Sequence, residues 1–136
     1  MKYNLVQESL ERFVRSNWTI TSIQYDNVPF NSDLYTEYLQ CHIAFGEGHQ
    51  RTVTQGCYRQ IGILMLTVKT KPGKGPTRKL TLASAASDMV RSVLVLPVAP
   101  LVAPSVYLKV PDLINDDKER YGWVSAVVSC PFYYDF

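Results

Sequence analysis

Apolar residues first recur at a helical period: Tyr3, Val6, Leu10, Phe13 and Val14 share one side of a helix whose other side carries Gln7, Glu8, Glu11, Arg12 and Arg15. Asn4 stands where a cap belongs, with Gln7 three residues on to return a side-chain bond. The period then falls to two. Trp18, Ile20 and Ser22 alternate with Thr19, Thr21 and Ile23, predicting a half-buried strand that Asn27, Pro29 and Asn31 end. A second strand is expected over Tyr38 to Phe45, with Leu39, Cys41, Ile43 and Phe45 facing one way and Tyr38, Gln40, His42 and Ala44 the other. Gly46-Glu47-Gly48 interrupts it, and the polar stretch Gln50 to Gln55 predicts an excursion before the longest strand, Tyr58 to Thr70. Ile61, Ile63, Leu64, Met65, Leu66 and Val68 make that strand apolar on both faces in its middle, which predicts a central strand covered on each side.

Pro72-Gly73-Lys74-Gly75-Pro76 cannot continue a strand and supplies a loop, after which Thr77 is placed to cap a second helix. Leu82, Ala86, Met89, Val90 and Val93 form its buried stripe, and the short side chains of Ala83, Ser84, Ala85 and Ser87 let it sit close to a sheet. Two closing strands are expected, at Val106 to Val110 and at Tyr121 to Cys130. The reading is one domain over residues 1–136, of α+β class: an α/β sandwich in which two main helices pack on a mostly antiparallel twisted sheet of about four to six strands.

Composition agrees with a single core. Of the 136 residues, 46% are apolar and 19% charged, and a chain of this size buries about 68% of its unfolded surface without metal or disulfide. The net charge of +2 does not by itself imply a nucleic-acid binder. The longest uncharged run, Ser92 to Leu108, contains Pro97, Pro100 and Pro104, so no membrane helix is expected, and the charged N-terminal pattern leaves no stretch for a signal peptide. Folding in a reducing cytoplasm follows, with Cys41, Cys57 and Cys130 as free, packed thiols.

Catalytic signals are sparse. Cys41 and His42 are strand neighbours and point to opposite faces, so they cannot form one pair. His49 and Cys57 lack two further ligands at zinc spacing, and no nucleophile elbow, H-E-x-x-H or paired-carboxylate pattern occurs, so no catalytic, cofactor or metal residue is assigned. The stronger signal is electrostatic: Lys69, Lys71, Lys74, Arg78 and Lys79 put five positive charges at a glycine loop before a helix. A solvated turn, a contact with DNA phosphates and a contact with an acidic protein surface are the readings it leaves open. The apolar stretch Leu94 to Pro104, with Pro97, Leu101 and Val102, reads either as an interface patch or as a loop tucked over the core.

Several phrases resemble the phage tail-terminator (tail-completion) proteins of long-tailed bacteriophages, and the resemblance spans most of the chain. They are the N-terminal helix ending near Trp18, Asp26-Asn27-Val28-Pro29-Phe30, Tyr38-Leu39, Tyr58-Arg59-Gln60-Ile61-Gly62, Lys71-Pro72-Gly73-Lys74-Gly75, Gly122-Trp123 and Cys130-Pro131-Phe132-Tyr133-Tyr134-Asp135. The resemblance implies a structural virion protein of the neck, assembled in the host cytoplasm, without enzyme activity or cofactor. It would form a homo-hexameric ring on the last ring of tail-tube protein, stop polymerisation, meet the head–tail connector or stopper protein, and let genomic DNA pass its lumen unread. Head-to-tail contacts in a ring need two complementary faces, and the basic segment 69–79 opposes in charge the acidic segment of Asp112, Asp116, Asp117 and Glu119. The interface residues so expected are Lys71, Lys74, Arg78, Lys79, Asp112, Asp116, Asp117, Pro97, Leu101 and Val102. A related connector or minor tail protein, a small anion-binding module and a divergent hydrolase are the competing functions, and a gene lying beside that of a major tail-tube protein would favour the terminator.

Overall fold

A computed structural model describes residues 3–26, 28–50, 58–73, 76–93, 95–97 and 105–135. Helix α1 (Tyr3–Asn17) is followed by strand β1 (Ser22–Gln24), a 3-10 turn at Ser32–Leu34, β2 (Glu37–Gln50), β3 (Tyr58–Thr70), α2 (Pro76–Arg91), β4 (Val95–Pro97), β5 (Ser105–Leu108), β6 (Asp112–Arg120) and β7 (Trp123–Asp135). These form one seven-stranded sheet in the order β1-β2-β3-β7-β5-β4, with β6 also pairing β7. Only β1 and β2 run parallel; the other pairs are antiparallel, giving a mixed α+β sheet. Helix α1 touches both β2 and β4, which stand far apart in the strand order, so the sheet curls around it.

The two apolar helix stripes meet the same sheet face. Val6, Leu10, Phe13 and Val14 of α1 and Leu82, Ala83, Ala86 and Val90 of α2 join Leu39, Cys41, Leu64, Leu66, Val68, Ala126, Val128, Cys130 and Phe132 in one cluster. Each large side chain buried there contributes about 1.5–3 kcal/mol. Tyr3 lies at the end of the α1 stripe and is half exposed, its ring edge-on to Phe45. Pro76 opens α2, because the first turn leaves its N–H groups unbonded and proline has none; the cap expected at Thr77 is thereby displaced.

Other expectations are corrected. The strand expected from Trp18 is only Ser22–Gln24: the Trp18 N–H still donates to the Val14 carbonyl at 2.8 Å and its indole Nε1 to Thr21 Oγ1, so the chain leaves the helix later than the alternation suggests. Strand β3 has the expected bounds and is central, yet it is covered on one face only: Ile61 and Ile63 on the other face are 38% and 40% exposed. Tyr121 begins no strand. It and Gly122 take φ of 54° and 80° between the paired Arg120 and Trp123, which makes a two-residue hairpin turn with the hand that suits twisted strands. Of the uncharged stretch, Val95–Pro97 pairs as a strand with β5, and residues 98–104 lie outside the described residues.

Both described thiols are sealed. Burial, reinforced by the Glu11 and Asp26 carboxylates, pushes Cys41 up to about 12, and burial pushes Cys130 up to about 11. The unfolded chain ionises near 9.0 while the folded chain holds these protons, so stability is full below pH 9 and falls as pH rises toward 11–12. In a Cys57→Ser variant, a thiol reagent at pH 8 should therefore find no reactive group until denaturant is added, and urea midpoints should decline between pH 9 and 11. Rapid labelling of the native protein would contradict the burial.

Candidate interaction surfaces

The face of the sheet away from the helices carries Gln40, His42 and Ala44 of β2, Ile61, Ile63, Met65, Thr67 and Lys69 of β3, and Ser125, Val127, Ser129, Pro131 and Tyr133 of β7, aligned by register. One end of this face is covered. Trp123 packs edge-on against Tyr38 with ring centres 4.9 Å apart, Tyr38 meets Phe30 at 4.9 Å, and Phe30 stacks on Tyr35 at 5.0 Å. This aromatic run pins residues 30–35 over the sheet end. Trp123 therefore anchors that segment, whereas Trp18 joins the helix-side core.

The basic segment lies at this same end. Lys71 holds its Nζ 4.1 Å over the Trp123 ring, and its N–H donates to the Thr36 carbonyl. Arg78 binds the Glu37 carboxylate through two hydrogen bonds of 2.9 and 2.6 Å, which hold its guanidinium charged. Lys79 is a correction. It is 1% exposed, because it stands three and four residues before Leu82 and Ala83 and so extends the buried stripe of α2. Lys74 lies outside the described residues. The positive surface thus comprises Lys69, Lys71 and Arg78 among the described residues.

Thr36 and Glu37, which the basic turn holds, also line an open groove of about 530 Å³ with Thr19, Ile20, Thr21, Ser22, Leu34 and Tyr35. Ile20 and Leu34 are 51% and 74% exposed there. The acidic segment is strand β6 at the opposite edge of the sheet, where Asp112 pairs in register with Ser129 and Asp116 with Ser125, and Asp117 follows. Alternate residues of β6 show no sheltered side: Leu113 and Ile114 are 51% and 59% exposed. Pro97 ends β4 opposite Ser105, while Leu101 and Val102 lie outside the described residues.

Sequence reasoning missed a polar pair on the β2 margin. Asp26 bonds His42 Nδ1 through Oδ1 at 2.8 Å and accepts the Ile43 N–H on Oδ2 at 3.2 Å. Gln7, Glu11 and Ile43 complete a shallow groove around it. The buried Cys41 thiol faces the core, as expected of a strand neighbour, and so does not stand beside the pair. Among the described residues, no three His, Cys, Asp or Glu side chains gather as a metal site, and no helix is long and apolar enough to cross a membrane.

The family phrases acquire structural reasons. Asp26 fastens the β2 margin, Arg59 pairs with Asp135 across β3 and β7 at 2.8 and 3.1 Å, and the Gln60 amide donates to the Gly46 and Ile61 carbonyls beside the β2 bulge. A family model described as "Phage tail terminator protein" matches residues 5–131. The chain belongs to this family. Membership gives the terminator a structural role in the phage tail, in contact with other virion proteins. Among curated proteins none matches the sequence. One solved chain superposes with a TM-score of 0.73 at 15% identity, covering 100% of this chain and 97% of the other, and that likeness concerns the fold alone.

Proposed function

We propose that this terminator ends tail growth as a homo-hexameric ring seated on the last ring of tail-tube protein, with its other side offered to the head–tail connector or stopper and with DNA passing through the lumen unread. The observation that carries this reading is one sheet with two unlike edges: an open groove with exposed Ile20 and Leu34 at the β1 edge, and an acidic strand with exposed Leu113 and Ile114 at the other. A closed ring with head-to-tail contacts needs such a pair of different surfaces on every subunit. The protein works by shape and contact, without turnover or cofactor. Its polar pair, Asp26 and His42, fastens the backbone of β2 at Ile43.

Electron microscopy of particles from a phage that lacks this gene tests the reading. Tails longer than normal and not joined to heads are the expected result. Tails of normal length, joined to heads, would overturn it.

A further inference from the structure

The turn between β6 and β7 holds a residue that its backbone disfavours. Tyr121 takes a φ of 54° at the first central position of the two-residue turn, where Asn, Asp or Gly is the usual occupant because a bulky side chain crowds the backbone there. Among the described residues nothing covers it: the side chain is wholly exposed. Two residues on, Trp123 is buried, edge-on to Tyr38 and under the Lys71 ammonium, so the Tyr121 ring stands on a fixed base. Strain kept at a position that gains no contact within the fold points to a contact outside it, and a ring with few torsions left to fix is a common anchor between proteins.

The same chain carries a matching receptor. Ser22 stands opposite Tyr38, Tyr38 opposite Lys69 and Lys69 opposite Ser125, while Trp123 pairs with Arg120 just beyond. The groove of residues 19–22 and 34–37 and the Tyr121 tip therefore lie at one end of the sheet, on opposite margins four strand steps apart, and the tip of a subunit does not reach its own groove. A tyrosine asks for apolar walls around its ring and an acceptor for its hydroxyl. Ile20 and Leu34, each more than half exposed, supply the walls, and Thr19, Ser22 and Thr36 supply the acceptors. The shallow groove at His42 offers the Glu11 and Asp26 carboxylates in place of walls. A tip and a groove on unlike margins also make a head-to-tail pair, the kind of contact that closes a ring.

We infer that Tyr121 of one subunit enters the groove between residues 19–22 and 34–37 of the next, with its ring against Ile20 and Leu34. The occupant of the groove is a second copy of the chain. This contact rests on the ring proposed above and names the anchor between its subunits.

Tyr121→Asn tests it, since asparagine suits the turn and removes the ring. Its urea midpoint should equal or exceed the parent's, yet when supplied to a phage lacking the gene it should be lost from the tails, which grow overlong. Leu34→Glu, at a position 74% exposed, should keep the parent's midpoint and give the same tails. A p-benzoylphenylalanine in place of Tyr121 keeps an aromatic ring at the tip, and irradiated tails should yield multimers with the adduct on residues 19–22 or 34–37. Should that ring keep the chain out of tails, the same probe in place of Ile20 reads the contact from the groove, with the adduct expected on residues 119–122. Normal tails joined to heads with Tyr121→Asn would overturn the anchor, and so would a lowered midpoint, which would make Tyr121 part of the fold. An adduct on another virion protein would overturn it as well. The parent chain supplied in parallel separates the two readings: if it is missing from the tails, the ring fails together with the contact, and if it and Tyr121→Asn restore tails equally, the contact alone fails.

Discussion

Trp123→Ala is expected to lower unfolding free energy by about 3–5 kcal/mol, the range for truncating a large buried aromatic. The loss comes from a site opposite the main core. Trp123 is buried against Tyr38, lies under the Lys71 ammonium, and through Tyr38 and Phe30 holds residues 30–35 on the sheet. Urea unfolding followed by circular dichroism measures the loss, and amide exchange should speed up first across residues 30–36. Unchanged stability together with failed tail assembly would place the indole at a contact between proteins and not in the fold.

Gly62→Ala is expected to destabilise by about 3 kcal/mol, the upper part of the usual range for overfilling a packed site. The row Phe45, Gly62 and Phe132 runs across β2, β3 and β7, and the two rings meet edge to face with centres 6.0 Å apart above the glycine. An added methyl would collide with the Phe132 ring and come within 2.7 Å of the Ala44 carbonyl oxygen. The gain of about 0.4–1 kcal/mol that alanine gives by restricting the unfolded chain is too small to offset this. Phe132→Leu in the same chain should return part of the loss, and a thermodynamic cycle over the two positions reads that coupling. A Gly62→Ala protein as stable as the parent would show that the row has room to spare.

Much of the architecture is legible in the chain because burial is one-sided. The α1 and α2 stripes follow directly from apolar spacing, since each places one face on the core, while β3 is legible in its bounds from its apolar run but not in which face is covered. Strand β6 leaves no such trace: both its faces meet solvent in the single subunit, so Leu113 and Ile114 sit side by side among charges instead of alternating. Lys79 misleads for the opposite reason, since a charge count sees its ammonium and the helix buries its stem. The Asp26–His42 pair joins positions 16 apart, and the groove joins residues 19–22 to 34–37. Neither has a local pattern. The sequence shows a basic and an acidic segment, but only the strand register sets Lys69 at the middle of the sheet and Asp116 two strands away at its margin.

The Asp26 carboxylate has a meaning for how such a protein survives its own crowding. Strand β1 shields β2 only from Tyr38 to Gln40, and an unshielded strand margin invites any passing backbone to add itself. At Ile43 the side-chain oxygen of Asp26 already occupies the amide, and two residues further on a bulge bends the margin away. A negative group fixed where an intruding chain would lie turns that stretch from a template into a dead end. Copies of the chain can then meet at high concentration without pairing through this stretch.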